Sequence, residues 1–278
     1  MKYGALFREG CKQLETAGID EAKLDARLLL EFVCGTNRND LLAHGDRQVS
    51  DEEEARYKEV LELRAGRIPL QQITHSQDFM GLDFFVNEHV LVPRQDTEIL
   101  VEEVLKELHD GMRILDMCTG SGCILISLMH YSNDCEGVGA DISPDALQVA
   151  NRNRSLLPEH KKLSFIQSDL FEHVEGRFDV IVSNPPYIAP AEYETLMPEV
   201  KEHEPRIALV AEEDGLAFYR RMIQESPKYL YGGGRIFFEI GSAQAEGVCG
   251  LLEESGFTDI HVVKDYAGLD RVVYGTRM

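Results

Sequence analysis

The 278-residue chain has no apolar run that approaches the roughly 18 residues of a membrane span, and its first residues lack the apolar core of a signal peptide. We therefore expect no membrane partner and a cytoplasmic protein. Hydrophobic residues make up 44% of the chain and charged residues 28%, which is ordinary for a globular protein. The length suffices for one large domain and one small one.

The sequence also lacks the usual signatures of disulfides and metal sites. Its six cysteines include no pair at Cys-x-x-Cys spacing, and its nine histidines show no clustered spacing typical of metal ligands. In a reducing compartment such scattered cysteines are expected to be free thiols. We predict neither a structural nor a catalytic metal.

Basic residues are scarce, with 28 lysines and arginines against 49 aspartates and glutamates, for a formal net charge of −21. Proteins that bind a nucleic-acid backbone usually carry a basic patch, because their affinity depends on neutralising phosphates. The charge therefore argues against a large nucleic-acid footprint. It either favours a basic protein partner through electrostatic steering or serves only to keep the protein soluble.

What the chain does contain is a distinctive turn after a short apolar run. Residues 179–183 predict a buried strand of a parallel sheet, and ligand sites in such sheets lie beyond the carboxyl ends of the strands. The turn that follows is Asn184-Pro185-Pro186-Tyr187. Two prolines cannot continue a sheet, so their carbonyls stay free as acceptors. Asn184 adds a side-chain acceptor, and Tyr187 adds a flat aromatic face.

Such a stiff cup of acceptors with one stacking wall suits a planar –NH2 group on an sp2 carbon. The plainer alternative is an ordinary turn after a strand, because Asn-Pro is a common turn dipeptide and Pro-Pro often only stiffens a loop. A second group of residues upstream favours the functional interpretation.

This second group begins with a predicted strand at 113–117, which leads into a glycine-rich turn and then a helix from Cys123 to His130. The turn is Cys118-Thr119-Gly120-Ser121-Gly122. Strand, glycine turn and helix form a nucleotide-binding arrangement, because glycine lets the backbone approach a ligand closely. The spacing is neither the dinucleotide fingerprint nor a phosphate loop. Asp116 would repel a pyrophosphate and attract a cation such as an ammonium or a sulfonium.

Two more acids follow the next predicted strands. The strand at 137–141 ends in Asp141, which can hydrogen-bond both hydroxyls of a ribose. The strand at 163–167 ends near Asp169, which can reach toward an adenine amine. A glycine turn, two acids and Asn-Pro-Pro-Tyr in this order are together strongly specific, and the order matches that of an S-adenosylmethionine-dependent methyltransferase.

The chain resembles the HemK/PrmC family, the protein-(glutamine-N5) methyltransferases of peptide-chain release factors. Besides the site, the resemblance is carried by residues 68–74, 79–85, 91–98 and 204–209, and by residues 264–266 with 270–271. Residues 91–98 are similar to the family's Pro-Arg-x-x-Thr-Glu signature. Cys118 stands where relatives usually carry glycine, and Leu170 stands where some carry an aromatic residue beside the adenine.

The resemblance implies methyl transfer from S-adenosyl-L-methionine to N5 of the glutamine in the Gly-Gly-Gln motif of release factors, with S-adenosyl-L-homocysteine as product. Asn184 and Pro185 would accept the two amide hydrogens, Tyr187 would pack on the amide plane, and Pro186 would complete the substrate site. The expected cofactor-binding residues are Asp116, Cys118, Thr119, Gly120, Ser121, Gly122, Asp141, Ile142, Asp169, Leu170 and Asn184. The protein is expected to be a monomer without direct nucleic-acid contact.

Two alternatives remain. An amino methyltransferase that acts on an exocyclic base amine of RNA or DNA faces the same chemical problem and would flip its base onto the aromatic residue. The acidic charge and the lack of an evident basic module argue against it. The other alternative is a cofactor-binding scaffold with an inactive site, against which the intact Asn184 argues.

The predicted fold is α/β: a Rossmann-like, seven-stranded methyltransferase domain over residues 94–278, with a small N-terminal helical bundle over 1–75 and a linking β-hairpin over 76–93. The bundle is expected to recognise the protein substrate. One of its helices should begin at Asp20 and end near Val33. Its buried face is predicted to hold Leu24, Leu28, Leu29 and Phe32. Ser50 with Glu53 predicts a capping box for another helix, which should run to about Arg64.

Overall fold

The computed structural model describes residues 1–159, 161–212 and 214–278. Two compact units are present. One comprises Met1–His75 together with Met197–His203, and the other comprises Ser76–Leu196 together with Glu204–Met278. Within the described ranges, no helix is both long and apolar enough to cross a membrane.

The helices are α1 (Tyr3–Thr16), α2 (Ala22–Cys34), α3 (Arg38–Ala43), α4 (Asp51–Ala65), α5 (Leu70–Thr74), α6 (Gln95–Glu107), α7 (Cys123–Tyr131), α8 (Pro144–Asn153), α9 (Pro190–Tyr193), α10 (Pro198–His203), α11 (Arg206–Leu209), α12 (Ala217–Glu225) and α13 (Ala245–Glu254). The strands are β1 (Gln77–Phe79), β2 (Leu82–Phe84), β3 (Arg113–Met117), β4 (Glu136–Asp141), β5 (Lys162–Gln167), β6 (Phe178–Ser183), β7 (Leu230–Glu239), β8 (Phe257–Lys264) and β9 (Asp270–Arg277). Two short 3-10 turns span Arg154–Leu156 and Ser226–Lys228.

The N-terminal helices enclose their own apolar core, formed chiefly by α1, α2 and α4. The predicted capping box at the start of α4 is confirmed: the Glu53 amide donates to Ser50 Oγ at 3.1 Å, and the Ser50 amide donates to Glu53 Oε2 at 2.8 Å. These two bonds satisfy amides that have no partner inside the helix. The local signal therefore located the start of α4 correctly.

The predicted buried face of α2 is wrong in part, because Leu24 is 40% exposed and Phe32 is 39% exposed. The side chains that α2 buries are Ala22, Asp25, Ala26, Leu29 and Leu30. The face of α2 that carries Ala22 and Ala26 can be buried because α4 approaches it closely. The Tyr57 hydroxyl of α4 donates to the Ala26 carbonyl at 2.9 Å. Asp25 can be inside because it pairs with Arg64, whose Nε donates to Asp25 Oδ2 at 2.7 Å.

The larger unit contains the predicted α/β fold. Its seven strands lie in the order β5-β4-β3-β6-β7-β9-β8, and β9 alone runs antiparallel to its neighbours. The predicted hairpin is also present, with β1 and β2 paired antiparallel around Met80 and Gly81. Its strands end at Phe84, and residues 85–93 contain no strand. The seven-stranded α/β prediction is confirmed.

Side chains on neighbouring positions of each central strand point to opposite faces of the sheet. Ile114 and Val182 belong to a core that is covered by α6 and α7, whereas Leu115 and Ile181 belong to a core covered by α12 and α13. This two-residue period is the one that a doubly covered strand requires. The chain leaves β3 toward β4 on one side and returns to β6 on the other, so a crevice opens at the carboxyl end of β3.

The buried ion pair of the bundle gives a first testable expectation. Replacing Asp25 by alanine removes the 2.7 Å partner of the buried Arg64 and leaves that guanidinium with Glu199, which lies 3.3 Å away. We expect a loss of about 3 kcal/mol in bundle stability, typical of breaking a buried pair. Hydrogen exchange of α2 and α4 measures it, and Asp20→Ala at an exposed position should change protection by less than about 0.5 kcal/mol. Unchanged protection in Asp25→Ala would contradict the assigned role of the pair.

Candidate active site

The crevice beyond β3, β4 and β6 is a cavity of about 1100 Å³ when its open mouth is included. The predicted site residues that line it are Cys118, Thr119, Gly120, Ser121, Asp141, Ile142, Asp169, Leu170, Asn184 and Pro186. Four other predicted residues, Asp116, Gly122, Pro185 and Tyr187, do not line it but lie beside those that do.

The glycine turn has the backbone geometry that its composition suggests. Gly120 has φ +54° and Gly122 has φ +80°, and both values lie in the left-handed region that favours glycine. A Cβ on Gly122 would lie 3.1 Å from both Ile126 Cδ1 and Phe165 Cζ, whereas a Cβ on Gly120 would meet nothing within 4 Å. Cys118 also adopts a positive φ, +60°, which explains physically why glycine would suit that position.

Asp116 lies below this turn and is fully buried. Thr119 Oγ1 donates to its Oδ2 at 2.5 Å. No described residue hydrogen-bonds Oδ1 with normal geometry, although the Leu125 amide in the first turn of α7 exerts a weak pKa-lowering influence. Burial dominates and raises the pKa of the Asp116 carboxyl to about 7. The sequence-based expectation that Asp116 attracts a cationic ligand stays a prediction, because the carboxyl is fully buried and does not line the cavity.

Asp141 closes the turn from the side of β4. Its Oδ2 accepts from the Gly120 amide at 2.8 Å, and its Oδ1 accepts from the Ser143 amide at 2.9 Å. Burial raises the pKa of this carboxyl, while the backbone amides oppose that rise. Each carboxylate oxygen keeps a further acceptor site, so the two backbone bonds orient Asp141 without exhausting its capacity for a ligand hydroxyl.

The mouth of the cavity contains an ion pair that the sequence did not reveal. Arg221 Nη2, on α12, donates to Asp169 Oδ1 at 2.9 Å, and both side chains are about half exposed. The neighbouring Leu170 is buried and adopts φ +48°. Arg221 and Phe218 of α12 were not predicted because a helix 50 residues after Asp169 has no local pattern that marks it as a cavity wall.

Consecutive side-chain hydrogen bonds hold the turn after β6 in place. Asn184 Nδ2 donates to Thr97 Oγ1 at 3.3 Å, and Thr97 Oγ1 in turn donates to Glu239 Oε2 at 2.6 Å. The Tyr187 hydroxyl donates to the other carboxylate oxygen of Glu239 at 3.4 Å. Pro185 is buried, so its ring stiffens the turn from inside. Among the described residues, Asn184 Oδ1 has no hydrogen-bond partner, and Asn184 lines the cavity.

Glu239 is the last residue of β7 and is almost fully buried. Burial raises the pKa of its carboxyl to about 6, and the Thr97 hydroxyl bond and the positive charge of Arg271 act in the opposite direction. Glu239 and Thr97 were not predicted as site residues. An acid at the end of a predicted strand, the signal used for Asp141, could have found Glu239. Thr97 lies within the Pro-Arg-x-x-Thr-Glu signature.

Two further segments complete the cavity wall. The stretch after the hairpin contributes His89, Val90, Leu91, Pro93 and Arg94, and the segment around α11 contributes Pro205, Ile207 and Ala208. Arg94 Nη2 donates to Glu204 Oε1 at 2.5 Å, which ties the two segments together. The described residues contain no group of three or more His, Cys, Asp or Glu side chains that could hold a metal ion.

Comparisons with known proteins find related families, sequences and structures. A family model described as the PrmC N-terminal domain matches residues 5–74, and one described as the methyltransferase small domain matches residues 94–201. The chain is 43% identical to a release factor glutamine methyltransferase of Clostridium acetobutylicum over 91% of this chain and 90% of that one. It is 41% identical to that of Geobacter sulfurreducens over 94% and 92%. A methyltransferase structure from Pyrococcus furiosus shares the fold, with a TM-score of 0.56 at 19% identity over 78% of this chain and 98% of that one.

The two glycines of the turn allow a matched test of its packing. Gly120→Ala should cost about 1 kcal/mol, from left-handed strain alone. Gly122→Ala should cost a further 1–3 kcal/mol or so, because its Cβ would crowd Ile126 and Phe165. Urea unfolding followed by circular dichroism measures both. Equal losses in the two variants would show that the packing below Gly122 does not constrain the turn.

Proposed function

The chain belongs to the release factor glutamine methyltransferase family, and from that premise we propose that it methylates the side-chain amide nitrogen N5 of the glutamine in the Gly-Gly-Gln motif of peptide-chain release factors, with S-adenosyl-L-methionine as donor. The observation that carries this proposal is the state of Asn184. Its Nδ2 is engaged by Thr97, so its Oδ1 remains free at the cavity wall to accept a substrate hydrogen.

The residues around the glycine turn fit the proposed donor. Asp116 is buried beneath the turn and does not line the cavity, so its carboxylate would favour a positive charge there through its field and not by direct contact. The backbone at Gly120 leaves open space for close approach. Asp141 has acceptor capacity left for ribose hydroxyls, and Asp169 with Leu170, which line the cavity, would contact the adenine. The donor, when bound, supplies an electrophilic methyl group. S-adenosyl-L-homocysteine is then the product.

An amide nitrogen is a poor nucleophile because its lone pair is delocalised into the carbonyl group. Asn184 Oδ1, at the cavity wall, would accept one hydrogen of the glutamine –NH2, and the carbonyl of Pro185, beside the wall, would accept the other. These two bonds would hold the nitrogen lone pair toward the methyl group. Positioning of this kind is the main catalytic term. The same two acceptors stabilise positive charge that develops on the nitrogen. The ring of Tyr187 would support the amide plane, and Pro186 would form part of the cavity wall beside it.

The N-terminal bundle is the proposed recognition element for the release factor. Two observations support this role. The PrmC N-terminal model covers residues 5–74, so the bundle is characteristic of the family and not an unrelated addition. The outer face of α2 also exposes two large apolar side chains, Leu24 and Phe32. We further propose that the enzyme is a monomer that contacts release factors and no nucleic acid directly.

The decisive experiment is methylation of purified release factor with labelled donor, with RNA and DNA as parallel substrates. We expect label on the release factor alone, at the glutamine of the Gly-Gly-Gln motif. Asn184→Ala should lower kcat by about 10²–10³-fold, as for loss of one transition-state hydrogen-bonding group, while the donor Kd changes only a few-fold.

Asn151→Ala is the matched control, because Asn151 lies on α8 and, among the residues that the structure describes, its side chain bonds only the Leu147 carbonyl of its own helix. It should retain wild-type turnover. Label on RNA or DNA but not on release factor would replace the substrate class, and near-wild-type turnover of Asn184→Ala would remove Asn184 from the mechanism.

The raised pKa of Asp116 predicts that donor binding is linked to a proton. A cationic ligand favours the ionised carboxylate, so binding below pH 7 must expel the proton that the free protein holds. Affinity should therefore fall as the pH drops through about 7 toward 5. Calorimetry at pH 6 in two buffers of different ionisation enthalpy should detect proton release, and Asp116→Asn should bind more weakly without release. Binding without proton release in the wild type would contradict this linkage.

A further inference from the structure

The buried carboxylate of Glu239 lies behind the amide of Asn184, with the side chain of Thr97 between them. Thr97 carries a single hydroxyl hydrogen, and its 2.6 Å bond to Glu239 Oε2 uses that hydrogen. Toward Asn184, at 3.3 Å, the Thr97 oxygen can then only accept. The amide of Asn184 must present its –NH2 side to Thr97. Its Oδ1 is consequently left for the cavity.

We propose that Glu239 is a positioning residue for the methyl transfer, which through the Thr97 hydroxyl holds the Asn184 amide in the orientation whose Oδ1 accepts from the substrate. This inference rests on the proposed function, because it assigns a role within that same site. Glu239 itself does not line the cavity, so it acts through Thr97 and never touches the substrate. The Glu239 carboxylate thereby decides which end of the Asn184 amide faces the glutamine –NH2: the Oδ1 acceptor or the two N–H donors of Nδ2.

The same carboxylate also holds the other end of the turn. Its Oε1 accepts from the Tyr187 hydroxyl at 3.4 Å, so one buried group braces both polar side chains of residues 184–187. The Glu239 main-chain carbonyl accepts from the Tyr219 hydroxyl at 2.8 Å, which anchors its backbone. A hydrophobic residue at 239 would fill the same space but could brace neither Thr97 nor Tyr187.

The charged groups around Glu239 act on its pKa in opposite directions. Arg271 favours its ionised form and Asp96 disfavours it, and Arg271 is itself shared with Asp265 and Asp96 at 3.0 and 3.3 Å. The titratable hydroxyls of Tyr187 and Tyr219 face it from the turn and from α12, and the Cys123 thiol interacts with it from the start of α7. Burial is the strongest influence and raises the pKa of Glu239.

Protonation of Glu239 would reverse the direction of donation in the hydrogen bonds that link Glu239, Thr97 and Asn184. A protonated carboxyl can donate to Thr97, and Thr97 can then donate to Asn184 Oδ1. The Asn184 amide would turn over and direct its –NH2 at the substrate –NH2, where two sets of donors oppose each other. Burial raises the pKa of Glu239 to about 6, so we expect kcat to decline as the pH falls below about 6.

The test uses the full-length enzyme with intact release factor and compares Thr97→Val, Thr97→Ser and Glu239→Gln. Rates are measured from pH 5 to 8 with both substrates saturating, which removes the separate effect of Asp116 on donor binding. Thr97→Val keeps the shape but lacks the hydroxyl, and we expect kcat to fall about 10–100-fold with the donor Kd and KM nearly unchanged. Thr97→Ser restores the hydroxyl and should recover most of that loss.

The second measurement is the pH dependence of the rate of Glu239→Gln. Its amide can face Thr97 with either end, so the rate should be reduced and the decline below pH 6 should vanish. A simply structural role for Glu239 would reduce activity without removing that acidic limb. If the valine variant does not fold, as judged by donor binding, the serine variant and the pH profile of Glu239→Gln still decide the matter.

The inference is overturned if Thr97→Val turns over like the wild type, or if Glu239→Gln keeps the wild-type acidic limb. Neither result would affect the proposed function. That proposal fails instead if the wild-type enzyme does not label the release factor at all, and the wild-type reaction is therefore run first.

Discussion

The register of β3 with its two parallel neighbours is the constraint on which the site depends. Met117, the last residue of β3, pairs with Ala140 of β4 on one side and with Ser183 of β6 on the other. The next residue of each chain segment therefore emerges at the same level of the sheet, and these residues are Cys118, Asp141 and Asn184. The bond from Ser183 Oγ to the Met117 carbonyl, at 2.6 Å, reinforces the register on the β6 side. A slip of one residue would turn the acid and the amide away from the crevice.

Two buried carboxylates, Asp116 and Glu239, lie behind the cavity and have similar surroundings. Each accepts from a threonine hydroxyl, Thr119 in one case and Thr97 in the other, and burial raises the pKa of each. Burying an ionisable carboxyl lowers the stability of the protein unless hydrogen bonds and charge partners compensate in full. We propose that these acids are retained because Asp116 favours a cationic donor and Glu239 orders the turn that would face the substrate.

The segment after the Asn-Pro-Pro-Tyr turn shows how little chain order says about spatial grouping. Met197–His203 belongs with the N-terminal helices, where Glu199 lies 3.0 Å from Arg67 and 3.3 Å from Arg64. The Gln72 side chain also donates to the His203 carbonyl at 2.8 Å. The bundle unit is therefore built from two stretches of sequence separated by most of the sheet. A description by contiguous boundaries, such as 1–75 and 94–278, leaves this insertion out.

The sequence by itself determined what local chemistry determines: the strand before the glycine turn, the capping box at Ser50 and the order of acids and acceptors along the chain. Each depends on residues within a few positions of one another, so spacing suffices to detect it. Tertiary structure alone decided that Leu24 and Phe32 face outward, because an amphipathic pattern does not say which face another helix will cover. It also decided that Thr97 meets Glu239, 142 residues away. Such a contact depends on strand order and packing between distant segments, and neither leaves a periodic trace in the sequence.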